Sequence, residues 1–496
     1  MLSGVSRIEQ HMAQFGRYLD RSNLEHKQYQ IDGVRWILNN ELGIDPVCGV
    51  RGGFIADEMG LGKTIMMIGT MLCNFVGKTL IVLPPVLIDQ WYVQIYRTTG
   101  HRATIYHGEE KKRLTFEQLN SAKIVLTTYG AITLNRSQIK NKELNLLHKI
   151  SWGRIIFDEA HHLRNKNTTR YIGARLLPAK IRWLVSGTPI QNSKKDFYSL
   201  CAMIGLPSSF YTDSNNLHTL ARSFILKRTK KSVGINMNDV HMNNNIVNWQ
   251  NRKEMELSES IHSALAFSRV TAKKEIDLLI PTIKTTLALL LCARQSCIYP
   301  KLLKKTFDSM VKNGLMRDYS DYKEALNHSS KLDNAVSKIL QRKDNGCGKL
   351  IFCHFREEID EIYARLKAGG MTKVATFDGR TSTSKRFTIL NDKNEALILQ
   401  IQTGCEGLNL QENYSEIYFI SPHWNPAVED QAIARCHRIG QTKDVYVEKF
   451  EMCKFIDDEQ EIDTMTVDKY VGSVQEGKRC VSSECIEIKP KELITE

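Results

Sequence analysis

Residues 53–56 form a short run that is apolar on both faces. The chain then continues Asp57-Glu58-Met59-Gly60-Leu61-Gly62-Lys63-Thr64 into a helical stretch at 64–75. A strand that ends in a Gly-rich turn and feeds a helix opening on Lys-Thr is a strong constraint on the fold. Backbone N–H groups of the turn and the helix amino terminus converge where a phosphate would sit. Strands of this kind are central and parallel, with function at their carboxyl ends. Four more short apolar runs, 79–83, 123–127, 154–157 and 183–186, each end in polar or Gly residues, and helical stretches such as 192–204 separate them. A second set begins near Lys349, at 350–353, 374–377, 396–400, 416–420 and 445–450.

The pattern predicts an α/β protein of two lobes. Its parts are an N-terminal nucleotide-binding lobe at 1–230, a helical insertion or linker region at 231–330, a second lobe at 331–455 and an acidic tail at 456–496. The most apolar stretch, 287–293, reads as a buried helix. The Asn-rich stretch 236–248 has no clear period and reads as a loop.

Composition limits the partners. The chain has 496 residues, 42% hydrophobic and 25% charged, too long for one compact unit and ordinary for a protein with large cores. Its net charge is +13, which fits a polyanionic partner; excess lysine that only aids solubility would fit equally well. From Ile456 to Glu496 there are 11 Asp/Glu and 5 Lys/Arg, so the remainder carries +19. The 12 cysteines include no C-x-x-C pair, so no zinc is expected and the thiols read as reduced, in the cytosol or nucleus. No apolar run approaches the roughly 20 residues of a membrane span, and the amino terminus does not resemble a signal peptide.

The chemistry rests on three segments. Lys63 is placed for the β and γ phosphates and Thr64 for magnesium. The strict phosphate-loop pattern asks for Gly where this chain has Asp57, so a chance Gly-Lys-Thr on a surface turn competes. Asp158-Glu159 closes the run 154–157; Asp158 can hold magnesium through water and Glu159 can orient or deprotonate an attacking water. An Asp-Glu pair is also common as a solvated turn. In Gln431-Ala-Ile-Ala-Arg435-Cys-His437-Arg438-Ile-Gly-Gln441 the segment begins as a helix, and the spacing sets both arginines on one helical face. There they can neutralise charge developing on a phosphoryl group; a solvated basic face is the commoner fate.

The order of motifs resembles the Swi/Snf-type ATPases of helicase superfamily two. It comprises Gln30 in Lys27-Gln-Tyr-Gln30-Ile-Asp-Gly33, the loop at 56–64, Asp158-Glu-Ala-His161, Ser186-Gly187-Thr188-Pro-Ile-Gln-Asn192 and His437-Arg-Ile-Gly-Gln441. Leu126-Thr-Thr-Tyr129, Phe224-Ile-Leu-Lys-Arg-Thr-Lys230, Ser329-Ser-Lys331-Leu332, Gly407-Leu-Asn-Leu410 and His423-Trp-Asn-Pro426 also match, so the likeness runs from about residue 24 to 450. Asp57 belongs to that family's pattern. Within the family the motifs are similar to the lodestar and repair-associated branch, and a core of this length with little appended resembles the baculovirus global transactivator group.

The resemblance implies two RecA-like parallel-sheet lobes with helical insertions at their junction. It implies ATP and Mg2+ as ligands and double-stranded DNA as partner, moved along without strand separation, with chromatin or transcription proteins as further partners. Carried over by position, Gln30 reads adenine and residues 57–64 bind the nucleotide. Thr64 and Asp158 serve the metal. Asp158, Glu159, Arg435 and Arg438 serve hydrolysis, while Ser186, Gly187, Thr188 and Gln431 couple nucleotide state to movement. Thr127, Thr128 and Thr403 are expected at DNA phosphates. A monomer acting in the nucleus, a host nucleus if the source is viral, is the expected setting, with a role in transcription or repair. The competing classes are a recruitment factor with a vestigial ATPase and an RNA helicase; intact Lys63, Glu159, Arg435 and Arg438 argue against the first. Cys405 replaces a glycine of the family's pattern and Glu406 brings a negative charge near the expected DNA path, so weaker DNA coupling is expected. The segment after Phe450 matches the family's closing helix poorly and is expected to be a solvated tail.

Overall fold

The computed structural model describes residues 4–141, 143–187, 194–265, 286–404, 408–457, 460–461 and 464–486. The chain divides into two compact units, residues 1–236 with 478–496, and residues 237–477.

In the first unit, seven strands form one parallel sheet: β1 (Arg51–Ile55), β2 (Thr79–Leu83), β3 (Thr104–Tyr106), β4 (Ile124–Thr128), β5 (Trp152–Asp158), β6 (Ala179–Val185) and β7 (Ile225–Leu226). Their spatial order is β3-β4-β2-β5-β6-β1-β7, and every pairing is parallel. Successive side chains of a strand point to opposite faces, and both faces are covered here. Leu80, Val82, Ile155 and Phe157 belong to one apolar cluster, whereas Ile81, Leu83, Ile156 and Trp183 belong to another. That is why these runs read as apolar throughout rather than alternating.

A buried ion pair fixes the helix Gln28–Leu42 to this sheet. Glu41, 3% exposed, accepts from Arg154 Nε at 2.6 Å and Nη2 at 2.5 Å, from Trp183 Nε1 at 2.8 Å and from Asn74 Nδ2 at 2.7 Å. Four donors on one carboxylate offset the cost of taking it out of water. The anchor sets the position of Gln30, three turns back on the same helix.

The second unit repeats the plan with β8 (Val240–Val247), β9 (Gly348–Cys353), β10 (Val374–Phe377), β11 (Ala396–Gln400), β12 (Tyr414–Phe419) and β13 (Val445–Met452), in the order β10-β11-β9-β12-β13-β8. All pairings are parallel. Ile351 and Ile398 pack to one side and Leu350, Phe352, Leu397 and Leu399 to the other. The two parallel-sheet lobes implied by the resemblance are therefore the observed architecture.

Three expectations change. The stretch 236–248 holds β8 rather than a loop. Asn243 and Asn245 donate to Glu448 on β13 at 3.0 and 2.9 Å, so a polar ladder takes the place of the apolar alternation that marks a strand in sequence. The stretch 287–293 lies in a helix, Thr286–Ile298, but Leu287 is 77% and Leu291 49% exposed; its buried apolar positions are Cys292, Ala293, Cys297 and Ile298. Residues 456–496 are not wholly a solvated tail. Val467–Ile486 is a helix, Val467 and Val471 join the second unit's core, and Asp468 pairs with the fully buried Lys331. Two apolar side chains and one buried charge pair hold the start of this helix, which an acidic composition alone does not reveal.

Candidate functional site

β1 runs directly into the loop at 56–62, and the loop is braced from its other side. Ala56 N–H donates to Leu226 O at 2.7 Å and Glu58 N–H to Arg228 O at 2.8 Å, so β7 and the segment after it extend the ladder past the end of β1. Gly60 and Gly62 take φ of +93° and +81°, a region open to glycine. At Gly62 a Cβ would lie 2.3 Å from the Gln30 amide nitrogen. Gln30 Nε2 donates to Leu61 O at 3.2 Å, which places the expected adenine reader against the loop. The helix Lys63–Cys73 starts at Gly62, whose carbonyl accepts from Met66 N–H at 3.1 Å. Lys63 Nζ donates to Asp57 O at 2.8 Å and Glu58 O at 3.3 Å, so its charge stays at the loop. Met59 packs under the Ser186-Gly187 turn: a Cβ on Gly187 would lie 3.2 Å from Met59 Cγ.

Asp57 and Glu58 were expected among the nucleotide contacts, but their side chains face cations of the chain itself. Asp57 is fully buried and takes a bidentate pair from Arg228, Nε to Oδ1 at 3.1 Å and Nη2 to Oδ2 at 2.5 Å. Arg228 also donates through Nη1 to Tyr29 O and stacks over the Tyr29 ring at 5.7 Å. Gly33 leaves room for it, since a Cβ there would lie 2.8 Å from Arg228 Nη2. Glu58 accepts from Lys230 N–H at 2.8 Å and pairs with Lys230 Nζ at 3.1 Å. The departure from glycine at position 57 thus has a structural purpose: one guanidinium ties the loop to the helix that carries Gln30.

The carboxylates lie at the end of β5. Asp158 is 9% exposed; its Oδ2 accepts from Trp91 Nε1 at 2.7 Å and its Oδ1 from Glu159 N–H at 3.0 Å. Burial, then the Glu159 charge, push the Asp158 carboxyl up to about 6, against the Trp91 hydrogen bond. Glu159 has φ 49° and ψ 51°, a left-handed conformation uncommon outside glycine. Its Oε2 lies 3.3 Å from His161 Nδ1. After β6, Ser186 N–H donates to Ile55 O at 3.1 Å, bringing the Ser186-Gly187 turn to the root of the glycine loop. Thr188 lies outside the described residues.

A left-handed glycine turn into a helix amino terminus, the Lys63 ammonium, the Thr64 hydroxyl and the buried Asp158 carboxylate fit a nucleoside triphosphate with its Mg2+. Among the described residues no group of three His, Cys, Asp or Glu is placed to hold a metal by itself. The nine cysteines whose side chains are described are free thiols. No described helix is long and apolar enough to cross a membrane.

The DNA candidates fare differently. Thr127 is fully buried and its hydroxyl donates to Tyr106 O at 2.9 Å, so the expected phosphate contact through that hydroxyl is corrected: it is an internal bond of the sheet. Thr128, 4% exposed, places its hydroxyl 3.4 Å from His107 Nδ1. Thr403 is in the short helix Ile401–Gly404; Cys405 and Glu406 lie outside the described residues.

In the second unit, Gln431 is in the helix Pro426–Ile433 and 3% exposed. The expectation that Arg435 and Arg438 share a helical face is corrected, because the helix ends at Ile433. Cys436 N–H and His437 N–H both turn back to Ile433 O, at 3.0 and 2.8 Å, and Arg438 N–H to Cys436 O at 3.0 Å. These tightening turns replace the regular helix over the segment that carries both arginines. Arg435 is 8% exposed; Arg438 reaches Asn409 Oδ1, and burial and then Arg435 lower its proton affinity. Gln441 holds this turn in place, donating to Gln411 O at 2.9 Å, Tyr414 O at 3.0 Å and Cys436 O at 3.3 Å.

Glu358 is a buried carboxylate of the same unit. Its Oε2 accepts from His354 N–H at 2.8 Å and Phe355 N–H at 3.0 Å, while Oε1 has no hydrogen-bond partner among the described residues. Burial outweighs those bonds and pushes its carboxyl up to about 7. The native state therefore holds a proton that the unfolded chain releases near the ordinary carboxyl value, and this unit's stability falls as pH rises from there to about 7. Glu358→Gln is expected to flatten that fall, with a higher melting temperature than the parent at pH 8 and little difference at pH 4.5. Parallel melting curves for the two proteins across that range would contradict the assignment.

Comparison with known proteins places these features. A SNF2-related domain matches residues 29–302, and a helicase conserved C-terminal domain matches residues 331–440. The probable global transactivator of Orgyia pseudotsugata multicapsid polyhedrosis virus is 27% identical over 475 residues, covering 90% of this chain and 89% of that one. The DNA excision repair protein ERCC-6-like of Danio rerio is 26% identical over 505 residues, covering 83% of this chain and 33% of its own. The chromatin structure-remodeling complex protein SYD of Arabidopsis thaliana is 27% identical over 509 residues, covering 87% and 13%. The chain thus spans a third or less of the length of these two repair and remodelling relatives.

Sequence reasoning did not find Trp91 or Arg228 as parts of the site. Arg228 stands inside a motif that was read for other residues; Trp91 carries no signal in sequence beyond its place after β2.

Proposed function

We propose, on the premise that the chain belongs to the SNF2-related family, that it is an ATPase that moves along double-stranded DNA and remodels protein–DNA complexes without separating the strands. The observation that carries the reading is the meeting of three segments at the carboxyl edge of one sheet. They are the glycine loop with Lys63, the Asp158-Glu159 pair and the Ser186-Gly187 turn, whose backbone bonds to the root of the loop.

Lys63 and the loop amides hold the phosphates, and Gln30 lies against the loop for the base. Thr64 and Asp158 would hold Mg2+, which neutralises phosphate charge when bound. Glu159 orients and deprotonates water. Arg435 and Arg438 offset charge developing on the transferred phosphoryl group. Ser186 and Gly187, with Thr188 and Gln431, link nucleotide state to movement. Thr128 and Thr403 are DNA-side positions, and the basic body supplies non-specific attraction to phosphate, which weakens steeply with salt. The names of the viral and repair relatives support a nuclear role in transcription or repair.

The test is ATP turnover with no nucleic acid, single-stranded DNA, duplex DNA and RNA, beside a strand-displacement assay. Stimulation by duplex DNA with no displaced strand is expected. Stimulation by RNA alone, or none by duplex DNA, would overturn the reading.

A further inference from the structure

We propose that Tyr129 is a positioning residue that carries DNA occupancy at the end of β4 to the hydrolytic Glu159. The inference rests on the proposed reading of Asp158-Glu159 as the hydrolytic pair and of the Thr128 segment as a DNA-side position.

Tyr129 directly follows β4 and is 4% exposed. Its hydroxyl donates to the main-chain carbonyl of Asp158 at 2.6 Å. β4 and β5 are not neighbours; β2 lies between them, so the side chain bridges two strand spacings, roughly 10 Å. Among the residue types that can donate, few are both long and stiff enough to do so. The carbonyl it holds belongs to the peptide joining Asp158 to Glu159. Fixing that peptide fixes the left-handed backbone of Glu159, at φ 49° and ψ 51°, and with it the direction of the Glu159 side chain. A non-glycine residue persists in that conformation only where its surroundings enforce it.

The ring is itself held. Its centroid lies 5.0 Å from the ring of His162, and the Arg170 guanidinium lies 6.0 Å from it. Arg170 Nη1 is 3.3 Å from His162 Nδ1. A displacement of the β4 end therefore reaches Glu159 through this hydrogen bond and the packed ring. The Asp158 carboxylate has a separate anchor in Trp91, 2.7 Å away. Loss of the tyrosine hydroxyl should therefore uncouple Glu159 from the end of β4 without releasing the Asp158 carboxylate, while Glu159 keeps its contact with His161 at 3.3 Å.

The experiment is Tyr129→Phe in the full chain, which removes one oxygen and leaves the ring. Three quantities are read beside the parent: turnover without DNA, turnover at saturating duplex DNA, and duplex affinity in the absence of nucleotide. Expected are basal turnover and DNA affinity within about twofold of the parent, an unchanged KM for ATP, and a fall of about tenfold in the DNA-stimulated rate, a coupling of ordinary allosteric size. A merely structural role would not separate the stimulated rate from the other readouts. Equal stimulation in both proteins would overturn the inference. So would an equal loss of basal and stimulated turnover, which would make the hydroxyl part of the hydrolytic centre, or a proportionate loss of DNA affinity, which would make Tyr129 a DNA contact. A parent protein that duplex DNA does not stimulate would instead overturn the reading on which the inference rests.

Discussion

Replacing Glu159 with Gln is expected to lower ATP turnover by about 10²- to 10⁴-fold, the span usual for loss of a general base, while nucleotide binding stays within a few-fold of the parent. Gln keeps the volume and one oxygen of the side chain, so packing at the end of β5 is retained. The amide cannot take a proton from water, and the developing hydroxide loses its acceptor. Removal of the negative charge beside Asp158 has a second consequence. Glu159 is, after burial, the main cause of the raised Asp158 carboxyl, so in the variant Asp158 ionises more readily and its role toward Mg2+ is preserved. Binding of a fluorescent ATP analogue and single-turnover hydrolysis, measured together, separate the two effects. Turnover within tenfold of the parent would remove Glu159 from the hydrolytic role.

Arg228→Ala is expected to destabilise the first unit by about 3 kcal/mol, the lower end of the cost of breaking a buried ion pair, because Asp57 is left buried without its guanidinium. For a unit of this size that corresponds to a fall in melting temperature of roughly 6–12 °C. The same change frees the loop from the helix that bears Gln30, so the KM for ATP should rise. Arg228→Lys is the discriminating variant. Lysine restores the charge but not the two-point pair from Nε and Nη2, so stability should recover further than ATP affinity. An unchanged melting temperature in Arg228→Ala would show that the Asp57 pair contributes little.

Much of this site was legible from residue order because phosphate chemistry restricts the backbone that can perform it. Only a glycine-rich turn between a strand and a helix aims several N–H groups at one point, and such a turn is continuous in sequence. Asp158-Glu159 was legible for the same reason, as two carboxylates at the end of an apolar run. Arg435 and Arg438 were legible as residues but not as geometry. A three-residue spacing implies one helical face only if the helix continues, and here the carbonyl of Ile433 captures two successive N–H groups and ends it.

The alternation of Leu80 and Val82 against Ile81 and Leu83 between two cores was also written in the chain, as strands with no polar face. From that pattern the sequence determined that there are two parallel sheets and where their main strands lie, and the glycine turn after β1 marked the loop proposed to hold phosphate. Tertiary structure alone decided what those loops are fastened to. Asp57 meets Arg228 across 171 positions of sequence, Glu41 meets Arg154 across 113, and Tyr129 reaches Asp158 over an intervening strand. β8 likewise gains its place from Glu448. Local patterns record only what a segment must bury, whereas the partner of a buried charge or hydroxyl is chosen by which strands come to lie side by side.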